Sequence, residues 1–146
     1  MSLSSPTKLY TPELLALAVN LANYPYNPAL PLIGEARSRT CGSSLELALA
    51  IDGERRIETV GLRVTACAVG QASAAIFAKG AVGRTAENIA EALKQLELWL
   101  GKAGDLPAWP GLAALVPARH HSGRHGAIVL PWKAAATALC KAGQAG

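Results

Sequence analysis

The chain lacks any run of about 18 uninterrupted apolar residues, the length a membrane-spanning helix needs. Its opening, MSLSSPTKLY, lacks the basic-then-apolar pattern of a signal peptide. Both absences point to a soluble, cytoplasmic protein with no membrane partner. Cysteine is scarce: Cys41, Cys67 and Cys140 are an odd number without the dense spacing of a disulfide scaffold, which fits reduced thiols in a cytosol. Aromatic residues make up only 5% of the chain. The formal charge of +4 comes from Lys and Arg scattered from Lys8 to Lys141, with only the pairs Arg55/Arg56 and Arg119/Arg124 close together. Nucleic-acid binding calls for a basic stripe with aromatic residues interleaved, so no nucleic-acid partner is expected. Repeats and low-complexity segments are absent.

What remains is 146 residues, 51% of them apolar, enough for a hydrophobic core and cramped for two; residues 1–146 are expected to form a single domain. In TPELLALAVNLAN, Thr11 can cap a helix, Pro12 suits its first position, Glu13 meets its positive end, and Leu14, Leu17 (or Ala18) and Leu21 share a face. Pro25, Pro28 and Pro31 end that helix. Leu45, Leu47, Leu49 and Ile51 then alternate with smaller or polar residues, Asp52-Gly53 supplies a turn, and Val60, Leu62, Val64 and Ala66 alternate again: two strands of a hairpin. Ile57 is out of phase with its successors, which predicts a bulge near Thr59 to Gly61. GEARSRT supplies a third, more polar strand.

After Cys67, the small residues of GQASAAIFAKG predict a short helix that approaches its neighbours closely and ends at Gly80. A longer helix follows, capped by Thr85, with Glu87 in its first turn and Ile89, Leu93, Leu96 and Leu100 as its buried stripe before Gly101. GKAGDLPAWPG has the composition of a loop. AIVLPWKAAATALCKAG predicts a last helix beginning near Ala127 or Ile128, so that Pro131 falls in its first turn. This order predicts an α+β fold: a small three-stranded antiparallel sheet with helices packed on one face.

In such a meander the turn after strand one and the end of strand three lie at the same end of the sheet. Cys41 and Cys67 therefore sit one or two strand spacings of about 4.8 Å apart, a separation that permits a shared metal. Cys67 also precedes a helix N-terminus, where the helix dipole favours anions, thiolate among them. A lone cysteine is more often a small buried hydrophobe, and Cys140 is assigned that role.

TCGSSLELALAIDGERRIETVGLRVTACAVGQASAAIFAKG resembles the core of the NifU/IscU-type iron-sulfur cluster scaffold proteins. In that family a Cys-Gly-Asp turn, a strand hairpin and a Gly-Cys before a Ser/Ala-rich helix occur in this order and at this spacing. NYPYNPAL resembles the family's Tyr, Asn-Pro element, and LVPAR followed by AIVLPWKAAATAL resembles the segment that leads a third ligand cysteine into the last helix, most like the Gram-positive, zinc-binding branch. The likeness spans roughly residues 8 to 142.

The departures fall on the ligands. Ser43 replaces the family's Asp, and the third cysteine, counted back from Trp132-Lys133, falls on Ala127. Counted forward from Pro117-Ala118-Arg119 it falls on Ser122 instead, because about five extra residues intervene, and these are the RHHSGRH segment that holds all three histidines. The Leu-Pro-Pro-Val-Lys chaperone motif is replaced by LVPAR. Cys41, Cys67 and one imidazole from His121 or His125 would make a Cys2His set acceptable to zinc or iron; the bland alternative is a solvated surface loop. No activated nucleophile stands beside these histidines, so an enzyme is not expected.

The resemblance implies a non-enzymatic scaffold. It receives persulfide sulfur from a cysteine desulfurase, gathers iron into an iron-sulfur cluster and passes it to apo-protein acceptors, with Cys41 and Cys67 as cofactor ligands and a homodimer as a way to share ligands. With one Cys and one Asp replaced, the expected cargo is a labile cluster or mononuclear iron. The alternatives are a zinc-binding sulfur-relay or regulatory partner of a desulfurase, and a metal-free interaction domain.

Overall fold

The computed structural model describes residues 10–39 and 42–145. Its sheet is a meander of β1 (Leu32–Arg37), β2 (Ser44–Ile51) and β3 (Ile57–Thr65), ordered β1-β2-β3 and antiparallel throughout. Four helices lie on one face, α1 (Pro12–Asn20), α2 (Ala68–Ala81), α3 (Ala86–Leu100) and α4 (Ser122–Ala145); α2 and α4 pack on the sheet, where Leu45, Leu47 and Leu49 are buried, while α1 packs on α2 and α3 on α4. Two 3-10 segments, Leu21–Asn23 and Leu112–His120, complete the described elements. The expected α+β architecture is what the chain adopts.

Several elements form for the reasons legible in the sequence. The Thr11 hydroxyl accepts the Leu14 N–H at 3.1 Å, and Pro12 opens α1. Thr85 and Asn88 cap α3 reciprocally, side chain to backbone in both directions, and Ile89, Leu96, Trp99 and Leu100 are its buried residues, with Leu93 partly so. Beyond β3 the chain from Tyr24 lies alongside the strand, where the Leu62 N–H donates to the Tyr24 carbonyl at 2.9 Å.

Other elements depart from the sequence expectation, each for a packing reason. The bulge falls at Glu58, not between Thr59 and Gly61: Ala50 faces Thr59 while Ile51 faces Ile57, so the exposed Glu58 is the extra residue. That placement returns Ile57 to the buried face. Helix α2 is longer than expected and runs through Gly80 to Ala81. Gly80 is an interior residue there because the Trp109 indole occupies the space of any side chain at that position. Trp109 itself, in the loop before the 3-10 segment, is a core residue: its Nε1–H donates to the Ile76 carbonyl at 3.0 Å, and its ring stacks on Phe77 and meets Trp132 edge-on.

Helix α4 begins at Ser122, five or six residues before the expected start, with Pro131 in its interior. Proline there removes the bond to the Ala127 carbonyl. The helix continues because tertiary contacts hold both sides of the break. The Ser73 hydroxyl donates to the Ile128 carbonyl at 2.6 Å, and Trp132 is locked among Phe77 and Trp109. Among the described residues no helix is long and apolar enough to cross a membrane.

Candidate functional site at the β3–α2 junction

The β1–β2 connection closes on itself. The Ser38 N–H donates to the Ser43 carbonyl at 2.8 Å, and the Gly42 N–H to the Ser38 carbonyl at 3.1 Å. Gly42 adopts φ 70°, a left-handed turn conformation that glycine takes without Cβ strain. Cys41, the first predicted ligand, lies outside the described residues. Ser43, which stands where the family has Asp, is buried.

Ser44 pairs with Thr65, so the β1–β2 connection and the end of β3 share one end of the sheet. Two residues beyond Thr65 comes Cys67, a half-buried free thiol at the N-cap position of α2, in extended conformation (φ −69°, ψ 175°). Its carbonyl accepts the Gln71 N–H at 3.0 Å, starting the helix, and the Gln71 side chain reaches back to the Ala66 carbonyl at 3.0 Å. The thiol therefore sits on a junction fixed from both sides, at the positive end of a fourteen-residue helix.

Helix α4 comes to this junction with a small residue. A Cβ placed on Gly70 would lie 2.7 Å from the Ala66 Cβ and 3.2 Å from the Ala127 Cβ. Ala127 is 1% exposed. The position that counting back from Trp132 assigned to the third ligand thus faces the first turn of α2, one turn from Cys67, and presents a methyl group. The run of small residues after Cys67 was the signal for this close approach; its partner on α4 had no signal of its own. The forward count led to Ser122, which is exposed at the first position of α4.

The histidines are arranged differently. His120 and His121 end the 3-10 segment and are exposed. His125 is half-buried, with Nε2 2.7 Å from the Arg119 carbonyl oxygen. A carbonyl only accepts, so Nε2 carries a proton and the neutral ring offers Nδ1 as its free lone pair. Two residues along a helix separate His125 from Ala127 by roughly 200° about the axis, which turns the imidazole toward Arg119 and Ala127 toward α2. Sequence reasoning named Arg119 as one of a charge pair and as a counting anchor, and gave it no structural role. Its Nε donates to the Trp99 carbonyl at 2.7 Å and its guanidinium lies 5.3 Å from the Trp99 ring centroid, so it ties the 3-10 segment to the last turn of α3. Among the described residues no three His, Cys, Asp or Glu side chains converge on one point.

Solved structures resemble this architecture over nearly its whole length. The N-terminal domain of a nitrogen-fixing NifU-like protein from Brucella abortus superposes with a TM-score of 0.88 at 23% identity, covering 98% of this chain and 100% of that one. The chain has the NifU-like fold. A protein from thermophilic Fervidobacterium islandicum, described as an iron-sulfur cluster assembly scaffold for the SUF system, matches with a TM-score of 0.74 at 20% identity, over 90% of this chain and 96% of its own. A third structure, of a hypothetical protein, matches at 0.66 and 19% identity over 87% of this chain. No family model and no curated protein matches the sequence.

Proposed function

We propose that this protein is a cytoplasmic, non-enzymatic scaffold-like component of iron-sulfur cluster assembly. The observation that carries the reading is the position of Cys67: a thiol at the N-cap of α2, at the same sheet end as the β1–β2 connection, in a fold matched over 98% of this chain by a NifU-like domain. In this reading Cys67 thiolate attacks the outer sulfur of a cysteine persulfide on a desulfurase. The donor's S–S bond breaks, its cysteine leaves as thiolate, and the persulfide now stands on Cys67. A two-electron reductant, ferrous iron or an external electron carrier, then cleaves the Cys67 S–S bond, returning the Cys67 thiolate and delivering sulfide to iron, and the nascent cluster is cargo for apo-protein acceptors.

The donors on this chain fit such cargo only loosely. Cys67 and Cys41 would supply thiolates and His121 an imidazole, or His125 once its ring leaves Arg119, and Ala127 supplies nothing, so iron is held weakly or shared across a homodimer. Anaerobic reconstitution with iron and sulfide, with iron, sulfide and zinc measured per chain, tests this. Wild type is expected to hold iron with sulfide, Cys67→Ala to lose both, and the His120/His121/His125→Ala triple variant to lose a further share if an imidazole ligates. Zinc in place of iron would redirect the reading to a zinc-bearing sulfur-relay or regulatory partner of the desulfurase.

A second reading has an observation of its own. The Ala66–Gly70–Ala127 contact is closed and apolar, as a metal-free interaction domain of this fold would have it. A folded wild-type protein that retains no metal after reconstitution supports that reading and removes the scaffold role.

A further inference from the structure

From Leu106 to the last residue the chain contains no aspartate or glutamate, yet it carries Arg119, Arg124, Lys133, Lys141 and all three histidines. At the hairpin end both signs meet, with Arg55, Arg56 and Arg84 standing among the acids. Asp52, Glu54 and Glu58 lie at the hairpin end of the sheet, and Glu87 joins them there because the Ile57 N–H donates to the Arg84 carbonyl at 2.8 Å, which holds the start of α3 against the start of β3. The other end, where Cys67 sits, has Arg37 and Arg39 on the β1 side and the Arg119–His125 stretch on the α4 side. Of the acids closer to it, Glu46 is bound to Arg63 at 2.9 Å and Glu97 approaches Lys133 at 4.0 Å, while Glu35, two residues before Arg37 on β1, is exposed and forms no ion pair among the described residues.

The cations at the Cys67 end are not neutralised. Among the described residues, Arg37, Arg39, Arg119 and Arg124 form no ion pair. Two of them are oriented by neutral groups: Arg119 by the Trp99 carbonyl and ring, and Arg124 by the Tyr10 hydroxyl at 3.1 Å. A neutral partner fixes a guanidinium without cancelling its charge, so less side-chain entropy is lost when a carboxylate arrives. Arg37 faces Ser44, which faces Thr65, so two strand spacings, about 10 Å, separate the β1 side from the junction that leads to Cys67. On the other flank Ala66 meets Ala127 through Gly70.

We propose that this end of the molecule docks an acidic protein segment, with Arg37 and Arg39 on one flank, Arg119 and Arg124 on the other, and Cys67 between them. A span of about 10 Å or more is wider than one small anion and suits carboxylates spaced along a chain, which guanidinium forks take up bidentately. Single-stranded nucleic acid would need a series of exposed aromatic platforms, and of the two rings beside these arginines Trp99 is buried and only Tyr10 is exposed. Separated charges of this kind steer encounter and make it salt-dependent. The proposal stands apart from the metal reading, since it requires only that the partner reach Cys67.

The test is a titration of the isotope-labelled, metal-free full chain with a short Glu/Asp-rich synthetic peptide, followed by amide NMR shifts. The expected shifts cluster at Arg37–Arg39, Ala66–Ala68 and Arg119–Gly126. Arg37→Glu/Arg39→Glu and, separately, Arg124→Glu are each expected to weaken binding about tenfold, while Arg55→Glu/Arg56→Glu at the hairpin end leaves it unchanged. Arg37→Gln/Arg39→Gln guards against misfolding and is expected to weaken binding less than the Glu pair. Shifts centred on the hairpin end, or equal losses from the hairpin variants, overturn the proposal. So does inorganic sulfate that shifts the same amides with the same affinity, or a single-stranded oligonucleotide that binds more tightly than the peptide.

Discussion

Asp52 shows how much one exposed side chain can organise. Its carboxylate accepts the Glu54 N–H at 2.9 Å and the Arg56 N–H at 3.0 Å, closing the β2–β3 turn from within. These bonds, that from Arg56 first and then that from Glu54, hold its pKa below the ordinary carboxylate value. A carboxylate whose pKa is lower in the folded chain stabilises the fold above its unfolded pKa, and that contribution is lost as pH falls through the folded value. Asp52→Ala is therefore expected to lower Tm at neutral pH, with the gap between variant and wild type closing in acid; a gap that persists in acid would assign the effect to something other than this charge. Trp109 is the opposite case, a residue whose importance local sequence hides. Pro and Gly around it mark a loop, yet its ring fills the space beside Gly80 and stacks on Phe77. Trp109→Ala is expected to cost about 3–5 kcal/mol in denaturant unfolding. Loop composition describes the backbone and is silent on which side chain turns inward.

Elements were legible where a local rule and the tertiary fold agree. The Thr85 box and the stripe from Ile89 to Leu100 needed no neighbour to be recognised, and the alternation of Leu45, Leu47 and Leu49 fixed the buried face of β2. The start of α4 and the end of α2 were misplaced because each depends on a partner distant in sequence: Ser73 and Trp132 sustain α4 across Pro131, and Trp109 carries α2 past Gly80. The contact between sheet and last helix depends on such a partner too. A methyl group on Gly34 would fall onto the Ala134 carbonyl of α4, and one on Gly61 onto the Pro25 carbonyl. These are backbone atoms that cannot rotate away. Gly34→Ala is accordingly expected to push α4 off β1 and cost about 3 kcal/mol. Full stability in that variant would mean that α4 glides on the sheet without strain.

At the scale of the whole molecule, the fold gathers Cys67, Gly70, Ala66 and Ala127 at one junction although 61 positions separate the first from the last in the sequence. Strand order alone located the Cys67 end. That no imidazole shares the Ala127 face of α4 could not be read from the histidine cluster, because helix α4 starts inside it and sends His125 toward Arg119. If this junction is a metal site short of a ligand, one thiol in place of one methyl should strengthen it. Ala127→Cys adds a single sulfur beside the first turn of α2, a change small enough to cost about 1 kcal/mol of stability. Zinc and iron retained per chain after desalting are expected to rise above wild type, and Cys67→Ala in the same background is expected to abolish the gain. A folded Ala127→Cys protein that retains no more metal than wild type would separate this junction from metal chemistry altogether and leave the closed apolar contact as its purpose.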